Sequence, residues 1–161
     1  MEAFQLLRDD SIKRIKIADH MLNVTYPLIK DPKILIAVTE NIFLSLSYAL
    51  GSLLHYERLF KKIPDFKDNF KSKFEIFKNS CIKRYSLSEG YLKLLQDVKN
   101  IIMEHRKSPV EFKRNDSLVI CNDHYRCRTL DECLLKKYLA DSKLFLNEIS
   151  LIVSKDERIF K

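Results

Sequence analysis

The chain has 161 residues, 46% of them hydrophobic and 32% charged, which excludes disorder and allows one domain whose core needs no staples. Its formal charge of +7 admits an anionic partner. Two glycines and four prolines leave long uninterrupted stretches and exclude phosphate-cradling glycine loops; no P-loop, G-x-G-x-x-G, G-x-S-x-G or H-E-x-x-H pattern occurs.

In chain order, a first helix is expected from near Ala3 or Ser11 to about Asn23, with Ile12, Ile15, Ala18 and Leu22 inward. Thr25-Tyr26-Pro27 should break it, because the residue before a proline avoids helical geometry. Asp31-Pro32 reads as the N-cap and first-turn proline of a second helix reaching about Lys62. Its stretch from Ile34 to Tyr56 is long enough to cross a bilayer but contains Glu40 and Asn41, and a charge near a bilayer centre costs roughly 3 kcal/mol. A central buried helix is therefore the reading, with no membrane as partner and with Glu40 paired across the core.

Pro64-Asp65 marks the next turn. A third helix from about Phe66 to Tyr85 carries Phe66, Phe70, Phe74, Phe77 and Cys81, which at about 100° per residue fall on one arc. Lys67, Lys71 and Lys78 run along its edge. Between Lys61 and Tyr85 eight basic residues face three acidic ones, which accounts for +5 of the net charge of +7. Ser86-Leu-Ser-Glu89 fits a capping box, so the chain restarts or kinks there and continues to about Lys107 with Tyr91, Leu94, Leu95, Val98, Ile101 and Ile102 inward.

Ser108-Pro109 ends that helix. Leu118–Cys121 and Tyr125–Thr129 are β-prone and flank the polar turn Asn122-Asp123-His124, which reads as a short hairpin within an insert at about 110–129. Such a hairpin holds only by packing on the bundle. Thr129-Leu-Asp-Glu132 is a second capping box and opens the last helix, to about Val153, with Leu135, Tyr138, Leu139, Phe145, Leu146, Ile149 and Ile152 inward. The tail should fray from Ser154. The expected fold is all-α: one domain over 1–161, an up-down bundle of four to five helices with a short β-hairpin inserted before the last.

Three constellations carry chemistry. Cys121, His124, Cys127 and Cys133 together match the donor set of a structural zinc, though buried cysteine is also a common small hydrophobe. The acidic, periodic N-terminus lacks the layout of a signal peptide, so the cysteines read as reduced thiols and the chain as cytoplasmic. A second set, the basic residues Lys67, Lys71, Lys78, Arg106, Lys107, Lys113, Arg114, Arg126 and Arg128, is interleaved with aromatics; such residues neutralise phosphates and stack on unpaired bases. The alternative is a solvated face that keeps the domain soluble. His105 reads as a hydrogen-bonded core histidine, and Glu40 with Glu104 and His105 would supply a bundle-core metal set if their helices faced one another.

The third constellation is Arg14-Ile-Lys-Ile-Ala-Asp-His20. An arginine followed by a histidine at this spacing in a helical bundle resembles the HEPN superfamily, over most of the chain. The resemblance implies a compact bundle, in some members a metal-independent ribonuclease acting as a dimer, in others a binder of nucleotides or proteins. This sequence carries its motif in the first helix, with Ile15 where active members have a polar residue, and six residues of regular helix leave Arg14 and His20 on faces about 120° apart. The sequence reading is a non-catalytic binding module associating with RNA. The alternatives are a HEPN-type ribonuclease relying on Arg14 and His20 and a small zinc-stabilised structural protein. A homodimer through the long apolar second helix is expected, and no cofactor unless zinc.

Overall fold

The computed structural model describes residues 2–155. Helix α1 (Ala3–His20) does not stop before Pro27 as expected. It passes through a π-helical stretch, Met21–Thr25, into α2 (Tyr26–Ile29). There the Tyr26 N–H reaches back five residues to the Met21 carbonyl. This widened turn gives the Pro27 ring room against the preceding turn, which an ordinary helix lacks. The helix ends at Lys30, whose φ of 53° is left-handed.

Asp31 caps α3 (Pro32–Leu59) by accepting from the Lys33 N–H at 3.0 Å, with Pro32 in the first turn, as the sequence indicates. Sixteen of its 28 residues are buried, and α1 packs along it antiparallel. Ser45 Oγ donates to the Ser11 carbonyl at 2.7 Å and Ser52 Oγ to the Phe4 carbonyl at 2.6 Å. The small residues Ser45, Ala49 and Ser52 thus let the two helices approach closely, and the two serine hydroxyls are satisfied in the core. By length and composition α3 could cross a bilayer; in the fold, α1, α4 (Phe70–Ile76), α6 (Gly90–Lys107) and α7 (Glu132–Ser154) pack around it. Of α3, Lys33, Glu40 and Leu59 are exposed. Glu40 faces solvent and needs no buried partner.

The third helix starts later than expected, at the Asn69 cap, and breaks into α4, a second π-helical stretch Phe77–Cys81, and α5 (Ile82–Arg84). The π turn re-phases the chain so that Phe77, Cys81 and the adjacent Ile82 are all buried. Ser86 is not an N-cap. It lies at φ 52°, with its own N–H bonded to the Lys83 carbonyl and the Leu87 N–H bonded to the Ile82 carbonyl. That pair of bonds is a Schellman termination of α5, and α6 starts afresh after Glu89.

The expected hairpin precedes the last helix, and a further strand extends it. Strands β1 (Val110–Arg114), β2 (Ser117–Cys121) and β3 (Cys127–Leu130) form an antiparallel sheet in the order β1-β2-β3. Leu118 and Ile120 of β2 enter the core. Tyr26 anchors the β1–β2 turn by donating to the Asp116 carbonyl at 2.6 Å. Thr129 is paired with Val119 in the sheet, and the cap of α7 is instead Asp131, which accepts from the Leu134 N–H at 2.8 Å. Lys143–Asp19 (2.6 Å) and Arg8–Ser154 (3.3 Å) show α7 antiparallel to α1. The bundle is thus up-down, with the sheet at the end where α2 stops, α3 and α7 start, and α6 stops. The part of the tail beyond Lys155 lies outside the described residues.

Of the two free cysteines, Cys81 is buried and Cys133 exposed. Burial, and behind it the negative charge of Glu57, pushes the Cys81 thiol up to about 12. The folded chain thus keeps a proton that the unfolded chain releases near pH 9. The stability this neutral thiol contributes is whole below pH 9 and is lost as pH rises towards 12. Two results are expected: Cys133 reacts at once with a thiol reagent while Cys81 reacts only on unfolding, and the melting temperature falls less steeply between pH 9 and 10 in Cys81→Ala than in the parent. Equal reactivity of the two thiols would refute the burial argument.

Candidate nucleic-acid interface

The loop between β2 and β3 is closed by a covalent cross-link and by its own hydrogen bonds. Cys121 and Cys127 are cross-strand partners and are joined by a disulfide, with Cα atoms 4.1 Å apart. The next pair outward is bonded through the backbone, Asn122 N–H to the Arg126 carbonyl at 2.9 Å. Inside the loop, Asn122 Oδ1 accepts from the His124 and the Arg126 N–H groups, both at 2.9 Å, and Tyr125 takes up φ 60°. An asparagine that organises its own turn and a covalent closure fix the loop from both sides. His124, Tyr125 and Arg126 are exposed, Tyr125 at 90%.

The disulfide corrects the expectation of four reduced thiols. It also takes two of the four donors of the zinc set, since Cys121 and Cys127 bond to each other. Cys133 belongs to the first turn of α7, His124 to the loop, and no group of three or more metal-ligating side chains is assembled among the described residues. The carboxylate and imidazole set is not assembled either. Glu104 binds Arg128, His105 binds Glu111 at 2.6 Å, and Glu40 is exposed. His105 is therefore a half-buried surface partner and not a core histidine.

The nine basic residues separate into three groups. Arg128 is held by Glu104 through two bonds, Nε at 2.7 Å and Nη2 at 3.3 Å, which fasten β3 to α6 and hold the guanidinium charge more firmly than usual. It is spent on the fold. Arg106 and Lys107 at the end of α6, Lys113 and Arg114 on β1, and Arg126 in the disulfide loop are exposed and have no ion-pair partner among the described residues. Lys67, Lys71 and Lys78 are also exposed and unpaired, but they belong to the loop before α4, to α4 and to the second π stretch. The phenylalanines beside them are committed to packing: Phe77 against Phe145, Phe70 against Phe43 and Phe74. Phe66 packs against the His55 ring and the Arg58 guanidinium. Among the described residues no free aromatic accompanies that second group.

Two clefts flank the disulfide loop. One, of about 270 Å³, is lined by Asn100, Met103, Glu104, Lys107 and residues Asn122 to His124. The other, of about 290 Å³, is lined by Glu104, Ile120, Asn122 and residues Arg126 to Arg128. Sequence reasoning missed β1 and the exposed Tyr125. The signal for β1 was the run Val110-Glu-Phe-Lys-Arg114 followed by Asn115-Asp116, with Asn115 in the left-handed conformation that turns favour.

Arg14 and His20 are not brought together within the chain. Arg14 is half-buried and donates to Asn41 Oδ1 at 3.3 Å, whereas His20 is exposed at the last turn of α1. Comparison with protein-family models and with curated proteins finds no match.

Proposed function

We propose that the chain is a non-catalytic binding module, HEPN-like in outline, that associates with single-stranded RNA through the basic surface at the sheet end. The observation that carries this reading is the unpaired state of Arg106, Lys107, Lys113, Arg114 and Arg126 around a covalently closed loop that presents Tyr125 to solvent. The five cations neutralise backbone phosphates without reading sequence, and the exposed ring stacks on an unpaired base. Closure of the loop removes ordering cost at the moment of binding.

The test is fluorescence anisotropy with labelled single-stranded and duplex RNA over a range of salt. Affinity for the single strand should fall with a log–log slope of about −3.5, because each of the five phosphate contacts contributes about −0.7. Tyr125→Ala should weaken the single strand by roughly tenfold and leave the duplex unchanged, as the loss of one stacking contact implies. A flat salt dependence sinks the proposal. The same samples address the nuclease alternative: RNA cleavage by the parent that disappears in a folded His20→Ala variant would replace the binding reading with catalysis.

A further inference from the structure

Strand β1 is an outer strand of the sheet, and among the described elements only β2 packs along it. Its other edge therefore presents alternate N–H and C=O groups that no strand pairs. The register with β2 fixes its two faces. Glu111 and Lys113 stand opposite Ile120 and Leu118, which enter the core, so both point inward. Val110 and Phe112 stand opposite Cys121 and Val119 and point outward. All five residues of β1 are exposed, Val110 at 52% and Phe112 at 46%, so an outward apolar row ends at an open edge. Such an edge is a template for another strand.

The sequence of β1 selects the strand that fits. A two-fold axis perpendicular to the sheet keeps each face on its own side, so residues opposed across it share a face. An axis through Glu111 would oppose two carboxylates, and one through Lys113 would oppose two ammoniums; both arrangements are destabilising. An axis through Phe112 opposes Glu111 to Lys113 of the second copy, and does so twice. It also sets the two Phe112 rings side by side and is the register that pairs all five residues, with Val110 opposite Arg114. Val-Glu-Phe-Lys-Arg is thus complementary to itself. The groups it needs are at hand: His105 holds Glu111 through Oε1, which leaves Oε2 for a second donor, and Lys113 has no ion-pair partner among the described residues.

We propose that β1 is a self-association edge, through which two copies of the chain pair antiparallel about Phe112 into one six-stranded sheet. A five-residue strand is a small interface and the net charge of +7 opposes approach, so the dimer is reversible and not obligate. The pairing does not rest on the RNA reading and is measured without RNA. Lys113 belongs to both surfaces, so RNA and the second copy compete for it, whereas Glu111 and Phe112 lie outside the RNA set.

The test is sedimentation velocity on the full chain up to millimolar concentration, where the parent should pass from monomer to dimer. Glu111→Lys and Lys113→Glu each oppose like charges twice and should each weaken the dimer by roughly thirtyfold. An equimolar mixture of the two variants should dimerise again with the strength of the parent, because each then offers the charge that the other lacks. Glu111 also holds His105, so a second measurement leaves the inward side chains untouched. Phe112→Cys in a Cys133→Ser chain should form an interchain disulfide on mild oxidation with copper–phenanthroline, and Arg114→Cys in the same background should not. A parent that stays monomeric at millimolar concentration overturns the proposal. So does a dimer that both reversals leave intact, a mixture of folded variants that stays monomeric, or equal cross-linking at Phe112 and Arg114.

Discussion

Replacing Lys113, Arg114 and Arg126 together with glutamate is expected to lower affinity for single-stranded RNA by about a hundredfold at 0.1 M salt. Each phosphate contact on a single strand contributes about 0.7 of a decade at that salt through counterion release, so three contacts contribute about two decades. All three side chains are exposed and unpaired, so their reversal breaks no ion pair of the fold, and the melting temperature should stay within a few degrees of the parent. The matched control is the triple reversal of Lys67, Lys71 and Lys78, which changes net charge by the same amount on a surface whose aromatics are packed. If only the first variant loses affinity, binding is local to the sheet end. Equal losses would show attraction by overall charge and remove the loop from the account. Reversal of Arg128 is not a clean test, because its loss would leave Glu104 without its partner and release β3 from α6.

What the sequence disclosed follows the strength of each local signal. Asp31-Pro32 combines a side-chain acceptor with a residue that has no N–H to waste, so the start of α3 was legible to the residue. The inward stripes of α6 and α7 were legible because burial at helical spacing leaves few alternatives. Pro27 misled because the rule about proline assumes ordinary helical geometry, and the chain spends a π turn to satisfy it. Ser86 and Thr129 matched capping patterns that a competing structure claimed first: a Schellman termination in one case and a sheet ladder in the other. Glu40 looked anomalous in an apolar run, yet α3 leaves one narrow strip uncovered and Glu40 lies on it. Strand β1 is exposed at every position, so it has no buried face to imprint an alternation. The candidate interface was half legible. Its cations were counted correctly, but composition does not show which of them a carboxylate already holds. Nor does it show that Cys121 and Cys127 are register partners, which depends on the sheet.

The largest effect on stability is expected at Arg84. Glu57 of α3 is 0% exposed, and its carboxylate is met by the Arg84 guanidinium, which also donates to the Lys62 carbonyl at 3.1 Å. Burial and the same carboxylate hold the Tyr85 proton on well above its usual range. Arg84→Met would leave an ionised carboxylate in the core without its cation, a loss of about 3 kcal/mol, at the low end for broken buried pairs because Arg84 is 34% exposed and water can reach the gap. In a chain of this length that is a fall of about 9 °C in melting temperature. The double variant Glu57→Met/Arg84→Met should recover most of it, because the cost lies in the unpaired charge and not in the missing bridge. The location of the damage is as diagnostic as its size. Helix α4 has no fully buried residue, so the segment from Asn69 to Arg84 is tied to the bundle mainly by Phe77, Cys81, Ile82, the partly buried Phe70, Phe74 and Ile76, and this ion pair. In Arg84→Met, amide exchange should quicken first over that segment while α1 and α7 stay protected. Uniform loss of protection would show that the pair supports the whole core, and no loss of stability would show that the bundle tolerates a bare carboxylate at Glu57.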